Sequence, residues 1–142
     1  MNRFLAKAYP VLIKQDEDDF LVYIPDFDTY TEGSSLADAI EMARDAMGTA
    51  GMEFKTEDEL PVVSSFEEAR AKAKEVAEDE LDFSDGLVTY VDIDFESYQN
   101  RMRNKSVKKN CTIPFWLNEK AESMGVNFSK VLQDALMRIV GV

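Results

Sequence analysis

The N-terminal part of the chain alternates short apolar runs with polar turns and predicts a small antiparallel sheet. Residues 4–14 are predicted as a strand, in which Pro10 favours an edge position or a bulge because proline has no N–H to donate. The apolar run 20–24 predicts a strand buried on both faces. Residues 28–32 predict a third short strand, with Gly33 marking its end.

Two helices and a returning strand are predicted to follow. Ser35 and Ser65 each precede an apolar stripe at helical spacing and have an acidic residue three positions ahead, as in capping boxes. The second stripe is narrow and rich in alanine, which predicts a peripheral helix. Residues 87–95 alternate apolar and polar side chains and predict a strand that returns to the sheet. The predicted order is β-β-β-α-α-β, an α+β domain.

A second, smaller unit is predicted at the C-terminal end. Residues 99–106 are polar, basic and aperiodic, and we predict that they link a domain over 1–98 to a unit over 107–142. The pattern of the second unit predicts a strand over 107–113 and two helices, the second capped by Asn127. So short a β-α-α unit cannot bury a core alone, so a homodimer or a higher even oligomer is expected.

The strand of this small unit carries candidate nucleic-acid chemistry. Its exposed face has basic and amide side chains, which can read base edges when two such strands form a ribbon in the major groove. The backbone N–H groups at the start of the last helix can bind a DNA phosphate. Cys111 falls on the opposite, core-facing parity. The candidate DNA-binding residues are Lys108, Asn110, Thr112, Asn127, Ser129 and Lys130.

Charge divides the chain near the predicted linker. Residues 1–100 hold 25 acidic and 8 basic side chains, a net charge of −17, while residues 101–142 hold 3 and 8, a net charge of +5. A basic segment is typical of polyanion binding, whereas a strongly acidic body attracts basic proteins or ligands. The two parts are therefore expected to have different partners.

Composition excludes several classes of function. The chain has no histidine and a single cysteine, so a structural zinc site and an internal disulfide are not expected. No apolar stretch is long enough to span a membrane, and the first residues do not form a signal peptide, which favours a cytoplasmic protein. The run of carboxylates at 16–19 is interpreted as a solvated turn. We expect no metal, cofactor or small-molecule substrate.

Two stretches of the chain resemble those of HicB-type antitoxins. The pattern YPVLI, then DFLVYIPDFDTYTEGSSLADAIEMARDAM, is similar to the family's core, and VKKNCTIPFW followed by GVNFSKVLQDAL is similar to its ribbon-helix-helix form. The resemblance implies a partial RNase H-like N-terminal domain that neutralises a small basic mRNA-cleaving toxin of the HicA type. It also implies a C-terminal domain that binds operator DNA and represses its own operon.

The resemblance implies a protein that is not an enzyme. The main alternative is a ligand-responsive ribbon-helix-helix transcription factor with a small-molecule-sensing N-terminal domain. A metal-dependent nuclease is the least favoured class, because Asp92 and Asp94 share a strand face but no further acids are seen to converge on them. The candidate toxin-binding residues are Tyr23, Asp26, Phe27, Asp28, Glu32, Asp92 and Asp94.

Overall fold

A four-stranded antiparallel sheet forms the centre of the N-terminal part of the chain. The computed structural model describes residues 6–79 and 81–142, so positions 4 and 5 of the first predicted strand lie outside it. The strand order is β3-β2-β1-β4, which confirms that the last strand returns to the sheet. The strands are β1 (Ala6–Asp16), β2 (Asp19–Ile24), β3 (Thr29–Gly33) and β4 (Leu87–Asp94).

Pro10 lies in an interior strand, although the sequence predicted an edge position or a bulge. β1 pairs with β4 from Ala6 to Ile13, but its ladder with β2 begins only at Leu12. Pro10 therefore lies beyond the end of β2, where β1 pairs with β4 and with no other strand of the described residues. The missing N–H is tolerated because that stretch of an interior strand is locally an edge.

Three helices complete the N-terminal unit. They are α1 (Leu36–Gly51), α2 (Phe66–Glu75) and α3 (Phe95–Arg103). The predicted caps are confirmed, since the hydroxyls of Ser35 and Ser65 each accept the backbone N–H three residues ahead, at 3.0 and 3.1 Å. The second of these is a complete capping box, in which the glutamate three residues ahead accepts the N–H of the cap residue.

Helices cover both faces of the sheet. α2 packs on one face, where Ala69 and Ala73 lie against Leu12, Tyr23 and Phe83. The alanine-rich stripe predicted a peripheral helix, but its small side chains instead let the helix approach the sheet closely. α1 and α3 pack on the other face. The core there comprises Tyr9, Val11, Ile13, Val22, Ile24, Ala39, Ala43, Met47, Leu60, Val91, Ile93, Phe95 and Tyr98.

Helix α3 occupies the first half of the segment 99–106, which was predicted as a linker. Tyr98 is buried and Met102 packs against the same core cluster, so one side of this polar helix faces inward. The chain consequently divides into two compact units at a later point, Met1–Lys105 and Ser106–Val142. The linker prediction is wrong where α3 forms. Tyr98 and Met102 face inward, and two apolar positions in so short a segment do not show a helical repeat of apolar residues in the sequence.

The C-terminal unit contains two helices, α4 (Phe115–Ser123) and α5 (Phe128–Val140). Gly125 between them has a φ of 68°, the left-handed conformation predicted for the end of the first helix. Residues 106–114 form no strand, contrary to the strand predicted over 107–113. A strand needs a hydrogen-bonded neighbour, and the described part of a single chain provides none here.

The structure confirms a mixed α+β class with a four-stranded antiparallel sheet and five α-helices among the described residues. None of these helices has the length and hydropathy needed to cross a bilayer.

Candidate functional site

A 3₁₀ turn over Pro25–Phe27 joins β2 to β3 and carries two of the predicted partner-binding residues. The Asp26 carboxylate accepts hydrogen bonds from the backbone N–H (3.0 Å) and the hydroxyl (2.5 Å) of Ser64. The Phe27 ring packs edge-on against Tyr9, with 4.9 Å between the ring centroids. Phe27 therefore packs this turn against the sheet, and Asp26 binds it to the connection between α1 and α2.

Tyr9 reinforces the same attachment. Its hydroxyl donates a hydrogen bond of 2.8 Å to the carbonyl of Pro61, in the α1–α2 connection. Burial of the phenol, together with the nearby Asp26 charge, raises the pKa of Tyr9 to about 12. The phenol therefore stays protonated and able to donate at neutral pH.

Asp28 and Tyr23 meet where β3 begins. Asp28 has a φ of 47°, and its carboxylate accepts a hydrogen bond of 3.2 Å from the Tyr23 hydroxyl. Burial and the neighbouring Asp28 raise the pKa of Tyr23. Tyr23 is fully buried, so it offers no surface to a partner. The exposed aromatic group here is Tyr30, whose ring stacks on Tyr23 with 4.7 Å between centroids.

Asp92 and Asp94 both make hydrogen bonds that connect β4 to neighbouring helices. Arg44 of α1 donates to the Asp92 carbonyl at 2.8 Å and to its carboxylate at 3.0 Å, while its third contact is with Glu41. The side-chain hydrogen bond from Arg44 lowers the pKa of Asp92. The Asp94 carboxylate accepts the N–H of Ser97 and caps α3.

Glu32 is exposed on β3, beside a groove that the sequence did not indicate. The groove has a volume of about 530 Å³ and runs along β3, between side chains of α1, of the sheet and of the segment before β4. Its lining residues are Leu21, Val22, Tyr30, Thr31, Glu32, Met42, Leu81 and Phe83.

The predicted toxin-binding residues do not form one surface. Asp28 and Glu32 lie at the β3 side of the sheet, whereas Asp92 and Asp94 lie on β4, at the opposite edge. Three strand spacings separate β3 from β4, about 14 Å. Tyr30 and Met42 lie in the stretch that resembles the family's core, but they were missed because only the fold places them beside Glu32.

The C-terminal unit has a cleft of about 560 Å³ between residues 109–113 and the two helices. Lys109, Cys111 and Ile113 line it, together with side chains of α4 and α5. The predicted DNA-binding residues Lys108, Asn110 and Thr112 do not line it and are exposed. The side chains of residues 108–113 thus alternate between solvent and the cleft, as predicted from the sequence, although this segment forms no strand.

The start of α5 has the predicted cap. The Asn127 side chain accepts the N–H of Lys130 at 3.0 Å, which leaves the N–H groups of Phe128 and Ser129 without a partner among the residues described. The Lys130 ammonium lies 3.5 Å from the carboxylate of Asp134, one turn along the same helix. Its charge is therefore partly balanced within α5.

Apolar side chains of the C-terminal unit are widely exposed. Every residue from 106 to 142 keeps part of its surface accessible, and Cys111, predicted to be buried, is exposed. Trp116 and Leu136 are 65% and 49% exposed. Exposed apolar area on this scale is typical of an interface.

No three Cys, Asp or Glu side chains of the described residues converge in a way that could hold a metal ion.

A family model for the HicB-like antitoxin of bacterial toxin-antitoxin systems matches residues 9–135. The match begins in β1 and ends in α5, so it covers both compact units and nearly the whole chain. The chain belongs to the HicB-like antitoxin family. Membership implies a toxin partner and a regulatory protein. No curated protein and no solved structure matches this antitoxin.

Replacing Asp26 of this antitoxin by alanine is expected to lower the free energy of unfolding by about 1–3 kcal/mol, because the Ser64 N–H and hydroxyl lose their acceptor. Urea denaturation followed by circular dichroism measures the loss. The matched control is Asp18→Ala, which removes an exposed carboxylate from the β1–β2 turn. Equal midpoints for the two variants would show that Asp26 has no structural role.

Proposed function

We propose that this antitoxin neutralises a small basic ribonuclease toxin of the HicA type with its N-terminal unit and represses its own operon with its C-terminal unit. The observation that carries the first part is the charge of the N-terminal unit. Residues 1–105 hold 25 acidic and 11 basic side chains, a net charge of −14. A surface of this sign competes with RNA for the cationic face of an RNA-cleaving protein.

Inhibition requires no chemistry from the antitoxin. An acidic surface laid over the toxin's RNA-binding face excludes the substrate by occupying its place. Glu32 of the N-terminal unit is exposed and forms no ion pair with the described residues, so it can attract a basic partner. The family match favours this function over the small-molecule sensor, which no observation supports.

Repression is attributed to residues 106–142 acting as a ribbon-helix-helix dimer. In that arrangement two copies of the segment 107–113 pair with each other. The partner strand supplies the neighbour that the described part of a single chain lacks, and it fills the cleft beside Cys111. Lys108, Asn110 and Thr112 then face outward for contact with bases, and the free N–H groups at the start of α5 bind a phosphate.

The charge boundary changes the expected source of DNA affinity. Arg101, Arg103 and Lys105 belong to the N-terminal unit, so the C-terminal unit has 3 acidic and 5 basic side chains and a net charge of only +2. DNA binding by this unit is therefore proposed to depend on Asn110 and Thr112 as well as on charge.

Co-expression with a small basic toxin of the HicA type tests the proposed inhibition. We expect the two proteins to purify as a complex whose mass is measured directly, and the antitoxin to suppress RNA cleavage by the isolated partner. The affinity of the antitoxin for the toxin should fall as the salt concentration rises from about 0.1 M to about 1 M, because the electrostatic screening length shortens from about 10 Å to about 3 Å. Undiminished cleavage at excess antitoxin would rule out the proposal.

A further inference from the structure

The two outer edges of the sheet differ in how they are covered. At β4 the guanidinium of Arg44 donates to the outward carbonyl of Asp92, so a side chain occupies part of that edge. β3 pairs with β2 on one side, and on its other side no backbone hydrogen bond is present among the described residues. β3 therefore presents unpaired N–H and C=O groups, which can pair with another strand.

The open edge of β3 is bordered by exposed apolar side chains. Tyr30 is 48% exposed, and Met42 and Leu81 are 38% and 36% exposed. All three line the groove of about 530 Å³ that follows β3, and the buried Phe83 forms part of its floor. A strand added here would place alternate side chains in contact with apolar surface as well as pairing with the backbone.

Carboxylates surround this groove. Glu32 lines it, and Asp28 lies at the N-terminal end of β3. Partial burial raises the pKa of Tyr30, and the negative charges of Asp28 and Glu78 raise it further. No lysine or arginine of the described chain lines the groove. The groove therefore has an apolar floor and an acidic rim.

We propose that the free edge of β3 binds an extended, cationic segment of the toxin as an additional strand of the sheet. The inference rests on the proposed function and names the surface through which the toxin is held. Apolar side chains of the added strand lie against Tyr30 and Met42, while its lysines or arginines meet the acidic rim. A second copy of this chain is disfavoured as the occupant, because each N-terminal unit carries a net charge of −14.

Hydrogen–deuterium exchange and a charge reversal on β3 test the inference. With residues 1–142 and a HicA-type toxin, we expect complex formation to slow amide exchange in residues 29–33. Glu32→Lys should weaken binding by at least about tenfold, because it places a like charge against the cationic strand. The control Glu53→Lys makes the same charge change at an exposed position just beyond α1 that does not line the groove, and it should weaken binding less than about threefold.

The outcomes separate the inference from the proposed function. A complex in which exchange at 29–33 is unchanged, or in which both variants bind equally, overturns the strand-addition inference and leaves the antitoxin function standing. Failure of the unmodified chain to form any complex overturns both. Slow, concentration-dependent exchange at 29–33 in the antitoxin alone would show that the edge pairs with a second copy and would also overturn the inference. Circular dichroism of both variants verifies that the fold is retained.

Discussion

Replacement of Leu132 by glutamate is expected to leave the chain monomeric and unable to bind operator DNA. Leu132 lines the cleft of the C-terminal unit and is 38% exposed in the single chain. In the proposed dimer this side chain becomes part of the shared core. Burying an unpaired carboxylate there costs about 3 kcal/mol or more, which is a loss of at least about a hundredfold in dimer affinity.

Sedimentation of the full-length chain measures the first effect, and a mobility shift with the DNA upstream of its gene measures the second. The matched control is Gln133→Glu, which introduces the same carboxylate at the next position of α5, outside the cleft lining. The control should remain dimeric and bind DNA. A dimeric Leu132→Glu variant, or a monomeric unmodified chain at micromolar concentration, would contradict the ribbon-helix-helix assignment.

The substitution Gly33→Ala, which adds a single methyl group, is expected to lower the free energy of unfolding of the N-terminal unit by about 3 kcal/mol. A Cβ at this position would lie 2.4 Å from the backbone nitrogen and 2.6 Å from the Cα of Ala39. Both atoms belong to the backbone of α1, so relief requires the whole first turn of that helix to move. Gly33 is thus constrained by the close approach of the helix, and its φ is not positive.

Urea denaturation of Gly33→Ala measures the predicted loss. The control Ala37→Val adds two methyl groups at an exposed position in the first turn of the same helix, where the cost is limited to helix propensity, about 0.6 kcal/mol. We also expect Gly33→Ala to weaken toxin binding, since the displaced helix carries Met42 of the groove. A change in unfolding free energy below about 1 kcal/mol would show that α1 adjusts without strain.

Local features of the fold were predictable because their causes are local. The caps at Ser35, Ser65 and Asn127 were correctly predicted, since a side-chain oxygen three residues before a free N–H is a property of the sequence itself. The burial of the strand at 20–24 also follows from its composition, and Val22 and Ile24 are fully buried. Elements that depend on distant partners were predicted less well, as the misassigned linker at α3 shows.

The roles of the acidic residues were not predictable, because a carboxylate acquires its role from what lies beside it. Asp26 was predicted to contact a toxin, which stays a prediction, and the structure shows that it also accepts hydrogen bonds from Ser64, 38 residues along the chain. Asp92 meets Arg44 of α1, 48 residues away. Asp94 caps α3, and residues 99–103 of this helix were predicted as part of a linker. Only the fold separates these structural carboxylates from Glu32, which remains exposed on an open strand edge.

The sequence by itself determined the family, the α+β order of elements, the helix caps and the acidic character of the N-terminal unit. These follow from composition and from interactions a few residues apart. The tertiary structure decided which edge of the sheet is open, which carboxylates are free, and that the segment 107–113 has no strand neighbour among the described residues of one chain. Those properties depend on strand order and on contacts between residues tens of positions apart, which the linear pattern of apolar and polar positions does not encode.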